Sequence, residues 1–242
     1  MDPERTETEY IIEQFGKNGL TIGEEKAQQL CRYFSMIVEK NKVMNLTTIT
    51  EFRDVVDKHF IDSSILLKYV NLEDKSVIDV GTGAGFPGIP LKILCPGIRL
   101  TLLDSLRKRI DFLNEVIAEL NMDGVETIHA RAEELANKSE YREKFDAAVS
   151  RAVSNLSTLS EYCLPFVRVD GDFYSYKGQK ARQEVDEAKK AITVLGGKII
   201  NEFNINLVDT DYDRTIIDIH KISETPKKYP RSGNKPSSNP IK

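Results

Sequence analysis

The sequence predicts an α/β fold: an open, mostly parallel sheet of seven strands with helices on both faces and a helical N-terminal extension. Three observations predict it. A glycine-rich turn, SVIDVGTGAGFPGIP at 76–90, stands directly behind a short apolar run. From Leu72 onward, short β-type runs alternate with helical periodicity, the pattern of parallel strands joined by crossover helices. Residues 1–71, by contrast, show helical periodicity and no strand signal.

Asp2-Pro3 joins a capping residue to a proline suited to the first helical position and predicts a helix to about residue 15, broken by Gly16 and Gly19. Leu30, Tyr33, Phe34, Ile37 and Val38 recur at helical spacing in a second helix over 24–41, and two shorter helices are expected over 51–58 and 62–70. Strands are predicted at 77–80, 99–103, 125–130, 147–150, 172–176, 198–207 and 215–222. Helices are predicted between them at 89–95, 106–121, 132–137, 156–167 and 179–195. No helix separates the last two strands, so they are expected to pair antiparallel. The Pro/Ser/Asn/Lys-rich stretch beyond Thr225 reads as irregular and linker-like. The expected units are a helical extension over 1–71 packed on the core, an α/β core over 72–225 and a basic tail over 226–242.

With 242 residues, 40% hydrophobic and 30% charged, the chain can bury the core of one large α/β domain. No apolar run approaches the roughly 20 residues that cross a bilayer. The first residues have neither the basic start nor the apolar stretch of a signal peptide, so a cytoplasmic protein without a membrane partner is expected. Cys31, Cys95 and Cys163 are far apart and show no C-x-x-C spacing. They read as packing residues in a reducing compartment, with neither a disulfide framework nor a metal site. The net charge of −4 hides an asymmetry, because residues 226–242 carry five bases and no acid. A nucleic-acid partner would have to be met by local basic patches, since the average field repels it.

Gly83-Ala-Gly85-Phe-Pro-Gly88 satisfies the dinucleotide pattern G-x-G-x-x-G, and Asp104, 21 residues after Gly83, stands near the place of a ribose-binding acid. No G-K-[ST] follows, which excludes a P-loop. Three features count against a dinucleotide. Asp79, two residues before Gly81, sets a carboxylate beside the loop, where it repels a pyrophosphate and attracts the ammonium and sulfonium charges of S-adenosylmethionine. Pro87 and Pro90 remove N–H donors that would otherwise bind phosphate oxygens. The closing hairpin stands where a dinucleotide domain needs a second mononucleotide half.

The segments NLT (45–47), KHFIDS (58–63), IDVGTGAGFPGIPLKI (78–93), LLDSLRKRIDFL (102–113), ARAEEL (130–135), SRAV (150–153) and YKG (176–178), with the ending KKYPRSGNKPSSNPI, strongly resemble the bacterial RsmG/GidB family along essentially the whole chain. The resemblance implies a Rossmann-like class I S-adenosylmethionine-dependent methyltransferase. Its substrate would be N7 of a specific guanine, guanine 527, in 16S ribosomal RNA of the small subunit. It further implies that Gly81, Gly83 and Gly85 shape the loop around the cofactor with Phe86 beside it. Asp79 would meet the ammonium end, Asp104 the ribose hydroxyls, and Ala132 with Glu133 the adenine. Arg151 would stand at the mouth shared by cofactor and active site and organise it. For each residue a structural role stays open: helix–strand packing for Gly83 or Gly88, a helix cap for Asp104, an ion pair for Arg151. His59 and Asp62, inside KHFIDS, are given no catalytic role.

Basic residues expected to meet RNA are Arg107, Lys108 and Arg109, then Lys177 with Lys180 and Arg182, and in the tail Lys227, Lys228, Arg231 and Lys235. Tyr174 and Tyr176 would either stack on a splayed base or pack inward. Guanine N7 carries a lone pair and no proton, so a direct in-line attack needs no general base. The expected enzyme is a monomer that uses no metal. The rival reading is a non-catalytic ribosome-assembly or nucleotide-sensing factor with the same pocket.

Overall fold

The computed structural model describes residues 6–208, 210 and 213–242. Its N-terminal part comprises α1 (Glu7–Lys17), α2 (Glu24–Asn41), α3 (Phe52–Val55), a π-helical turn (Val56–Ile61), α4 (Asp62–Ser64) and a 3-10 turn (Ile65–Lys68). The expected Asp2-Pro3 start lies outside the described residues. Within them, α1 opens at a capping box: the Thr6 hydroxyl accepts from the Glu9 amide while the Glu9 carboxylate accepts from the Thr6 amide. The two short helices expected over 51–58 and 62–70 are instead one continuous helical run with the π turn at its centre. Such wide turns recur at functional sites.

Ile11, Phe15, Leu30, Tyr33, Ile37, Val56 and Phe60 are fully buried in one cluster with Val77, Leu100, Leu102 and Val149 of the sheet. Full burial of one such side chain stabilises by about 1.5–3 kcal/mol, so the extension shares the core of the α/β part.

The sheet consists of β1 (Ser76–Val80), β2 (Arg99–Asp104), β3 (Val125–His129), β4 (Phe145–Arg151), β5 (Val167–Lys177), β6 (Gly197–Asn206) and β7 (Asp213–Lys221). The spatial order is β3-β2-β1-β4-β5-β7-β6, with β7 antiparallel to both neighbours and every other pairing parallel. Strand β5 starts at Val167 rather than at the expected Asp172, because Phe145 pairs with Val167 ahead of a register shift. The period of two is plain in β1. Val77 packs on the extension side, while Ile78 and Val80 join Phe173, Ile217 and Ile219 on the opposite face. The chain winds outward from β1 to β3 and then returns to β4 beside β1, so the switch point where open α/β sheets take their ligands lies between β1 and β4.

The connecting helices are α5 (Gly88–Leu94), α6 (Arg107–Glu119), α7 (Ala132–Leu135), α8 (Leu156–Cys163) and α9 (Ala181–Val194), followed by α10 (Lys235–Ser238) in the tail. Helix α8 ends earlier than the expected residue 167, at Cys163. The tail, expected to be linker-like, docks on the core. The Arg142 guanidinium donates to the carbonyls of Thr225 at 2.7 Å and Tyr229 at 2.9 Å. The hydroxyls of Ser157 and Thr158 donate to the carbonyls of Ile241 at 2.7 Å and Pro236 at 2.9 Å. Among the described residues no helix is long and apolar enough to cross a membrane.

Candidate functional site

Alternation along β1 turns Asp79 toward α5, where it is fully buried. Its Oδ2 accepts from the Gly88 amide and the Thr82 hydroxyl, each at 2.8 Å, tying the glycine loop to the start of α5. A Cβ on Gly88 would press on this carboxylate and on Leu102, so Gly88 serves the close approach of helix and strand. The second oxygen, Oδ1, is buried without a partner. Burial pushes the Asp79 carboxyl up to about 7.

The loop glycines divide by role. At Gly83, φ is +62° and a Cβ would meet nothing within 4 Å, so this position opens onto free space. At Gly81 the corresponding space holds the Val153 side chain, and at Gly85 it holds the Tyr33 hydroxyl, Ile89 and Leu113. Gly85, expected to border the cofactor, is therefore required by packing against the helical extension. Asp104 ends β2, nearly buried. It accepts from the amides of Gly83 at 3.0 Å and Leu106 at 2.9 Å and pairs with Arg109 at 3.2 Å. Gly81, Asp104, Ala132, Glu133, Val153 and Tyr162 line one cleft at the carboxyl edge of the sheet.

On the other side of the loop, Phe86 is the floor of a second group. The His59 ring stacks on it at a centroid distance of 4.5 Å, and the Arg151 guanidinium lies 5.0 Å from its centroid. Arg151, at the end of β4, donates to Asp62 at 2.6 Å and to the carbonyl of Lys58 at 3.2 Å, and its guanidinium lies 3.2 Å from Nδ1 of His59, which also stands 3.0 Å from the Lys58 carbonyl. Arg214 of β7 donates to the same Asp62 at 2.6 and 3.0 Å. Asp62 is fully buried between the two guanidinium groups. His59 is pushed down to about 4 by burial first and by the Arg151 charge second. Its Nε2 lies 2.9 Å from the Thr47 hydroxyl. Sequence reasoning left His59 and Asp62 without a role and did not single out Thr47 or Arg214. The signal for Thr47, His59 and Asp62 is the set of separate family-like segments NLT, KHFIDS and SRAV, which converge only in space; Arg214 lies in none of them.

The expected RNA contacts divide as well. Arg107 and Lys108 are exposed in the first turn of α6. Arg109, Lys177 and Arg231 are not free cations. Arg109 pairs with Asp104, and Lys177, buried, donates to the carbonyl of Ser154 at 2.6 Å and pairs with Glu184 at 2.8 Å. Arg231 grips the fully buried Glu161 through its guanidinium and its own amide. Tyr174 and Tyr176 are buried in the core, and Tyr176 donates to the carbonyl of Ser63. Neither offers a face to a base. Arg231→Ala should accordingly act on stability. It strands a buried carboxylate, at a cost of about 3 kcal/mol, and should lower the melting temperature by roughly 6–12 °C in a thermal scan. The salt dependence of small-subunit binding should not change.

S-adenosylmethionine fits the residues present. The orphaned Asp79 oxygen faces a need for a cationic donor, and the open space at Gly83 leaves room beside the loop. Among the described residues no group of three or more His, Cys, Asp or Glu side chains could hold a metal ion.

The family model GidB, rRNA small subunit methyltransferase G, matches residues 26–211. The Ribosomal RNA small subunit methyltransferase G of Alkaliphilus oremlandii is 52% identical over 231 residues, covering 94% of this chain and 96% of its own. That of Lactobacillus johnsonii is 45% identical over 236 residues, covering 96% and 99%. Among solved structures, a SAM dependent methyltransferase from Aquifex aeolicus superposes with a TM-score of 0.54 at 16% identity, over 75% of this chain and 97% of its own. M. jannaschii TYW2 in complex with AdoMet gives 0.53 at 16% identity, over 67% and 76%. At such identities these two likenesses speak for the Rossmann-like class I fold alone. With the sequence matches and the glycine-loop geometry together, the chain belongs to the GidB family, rRNA small subunit methyltransferase G, and is an S-adenosylmethionine-dependent methyltransferase.

Proposed function

We propose that the protein methylates N7 of a specific guanine in 16S rRNA of the small ribosomal subunit, guanine 527 by family resemblance, as a cytoplasmic monomer and without a general base. The relatives named above act, by their names, on small-subunit ribosomal RNA.

The observation that carries the N7 reading is that the groups gathered over Phe86 are already engaged by protein partners. Both oxygens of Asp62 accept from arginines, and each ring nitrogen of His59 has a partner: Nδ1 stands 3.0 Å from the Lys58 carbonyl and 3.2 Å from Arg151, and Nε2 stands 2.9 Å from the Thr47 hydroxyl. A nucleophile that must lose a proton has no partner there. Guanine N7, an in-plane lone pair without a proton, needs none.

The cofactor supplies an electrophilic methyl group when bound. Asp79 receives its ammonium end through the unpaired oxygen, Asp104 the ribose, and Ala132 with Glu133 line the adenine. Gly81, Gly83 and Phe86 form the loop beneath. Arg151 organises the wall opposite, its charge directed into Asp62 and away from the cation that forms on the base. Arg107 and Lys108 meet RNA phosphates. The work of this site is positioning, an effect worth up to several kcal/mol.

The test is transfer of labelled methyl from S-adenosylmethionine to small subunits from cells lacking the gene, followed by nucleoside analysis for 7-methylguanosine. Its absence alongside tight cofactor binding would leave a non-catalytic factor. With both substrates saturating, the single-turnover rate should be nearly flat across neutral pH, and Arg151→Ala should lower it without a new pH dependence. The raised Asp79 belongs to cofactor affinity. An ammonium favours the carboxylate, so affinity for S-adenosylhomocysteine should rise with pH up to about 7 and then level off. Asp79→Asn should flatten that profile. A steep rise of the saturated rate abolished by mutating one carboxylate or imidazole would show a general base at work.

A further inference from the structure

Among the described residues that line the cleft at the carboxyl edge of the sheet, one is aromatic, Tyr162 of α8. The cleft has a volume of about 170 Å³. A site that encloses a whole ligand has roughly 300–1,000 Å³, so this cleft takes one end of S-adenosylmethionine. Asp104, Ala132 and Glu133 line it and Asp79 does not, which makes the nucleoside the end it takes. Tyr162 is half-buried and packs on the same core cluster as Ala130 and Ala132. The tail fixes it from behind. Its neighbour Glu161, fully buried, accepts from the Arg231 guanidinium at 2.7 and 2.9 Å, and Ser237 of α10 bonds the Tyr162 hydroxyl. With the hydroxyl engaged by the tail, the part of Tyr162 left for the cleft is its ring. Such a ring, fixed at its polar tip, is a pre-organised apolar surface, and a purine has a π-face to lay against it.

We propose that Tyr162 is a cofactor-binding residue whose ring forms the wall against which the adenine of S-adenosylmethionine packs. This rests on the adenine lying beside Ala132 and Glu133. The contact is to the base and not to the amino-acid end of the cofactor, which belongs to Asp79 on the other side of the glycine loop. A residue that only packed α8 onto the core would serve the fold and leave ligand affinity alone.

The chain contains no tryptophan, so Tyr162→Trp places a single indole in the cleft. S-adenosylhomocysteine should quench its emission, with a midpoint at the dissociation constant that calorimetry gives for the same variant. Tyr162→Ala should bind S-adenosylhomocysteine roughly 10- to 100-fold more weakly, the loss of one base–aromatic contact. It should weaken 5′-methylthioadenosine, which keeps the adenosine and lacks the amino-acid end, by the same factor. Tyr162→Phe keeps the ring and should retain most of the affinity for both. Indole emission that does not respond while calorimetry shows saturation would overturn the proposal. Unchanged affinity in folded Tyr162→Ala would do the same, as would a loss confined to S-adenosylhomocysteine, since the missing contact would then lie at the amino-acid end. Ala132→Phe, which sets a ring in the cleft, tests the reading beneath. If the folded variant binds both ligands like the parent, the adenine does not lie there, and that placement falls together with the role of Tyr162. If Ala132→Phe loses both ligands while Tyr162→Ala keeps them, the placement stands and the role of Tyr162 alone falls.

Discussion

Gly83→Val should abolish binding of S-adenosylmethionine and S-adenosylhomocysteine while leaving the protein folded. Gly83 has a φ of +62° and stands where a Cβ meets nothing within 4 Å, so a side chain there starts out into the space beside the loop. The backbone strain of a branched residue at positive φ costs about 1–3 kcal/mol, which a domain of this size withstands. The ligand loses its place entirely. Calorimetry should show no saturable heat at concentrations that saturate the parent, and circular dichroism should be unchanged. Gly85→Val supplies the contrast. Its φ is +106° and its Cβ would lie 2.6 Å from the Tyr33 hydroxyl and 2.7 Å from Ile89. Overpacking of that kind adds about 1–3 kcal/mol to the strain, so this variant should show its loss in the melting temperature. Unchanged affinity in folded Gly83→Val would remove the loop from the cofactor site.

Asp62→Ala should be among the most damaging single changes to stability. Asp62 is fully buried and takes three hydrogen bonds from Arg151 and Arg214, whose side chains are 8% and 11% exposed. Removing it takes from both guanidinium groups the buried carboxylate they share, a defect that costs about 3–5 kcal/mol. A melting-temperature drop of roughly 6–20 °C follows. The same change frees Arg151 from its anchor, so methyl transfer in the surviving folded fraction should fall in kcat more than in KM for the cofactor, whose proposed site lies on the other side of the loop. Asp62→Asn keeps an acceptor oxygen and should recover part of both. A thermal scan showing Asp62→Ala as stable as the parent would mean that the two arginines find other partners.

The open sheet was legible in the sequence because its cause is local. Strand β1 and the glycine turn, the alternation of β runs with helices, and the final antiparallel pair β6–β7 each follow from short-range pattern and connection length. That the residues proposed for the cofactor would lie near one another was nearly as legible, since Asp79, the glycines, Asp104 and the Ala132-Glu133 pair all stand at ends of consecutive parallel strands, which topology gathers at one edge. The basic residues were not. A lysine or arginine reads the same whether it meets solvent or a buried carboxylate, and Lys177, Arg109 and Arg231 found Glu184, Asp104 and Glu161 at sequence distances that no local pattern encodes. The docking of the tail was not legible for a related reason. Its composition is that of a linker, yet Arg142, Ser157 and Thr158 supply partners to its carbonyls.

By itself the sequence determined the fold class, the place of the glycine loop and the carboxylates that flank it, because turn chemistry and strand periodicity act over a few residues. Only the tertiary structure decided which glycine faces open space and which faces Tyr33, and only it brought Thr47, His59, Asp62, Arg151 and Arg214 together. Those five come from a loop, a π-helical turn, a short helix and two strands, and the reason they meet is long-range. The helical extension buries its apolar face on the sheet, and that packing delivers one buried aspartate to two arginines.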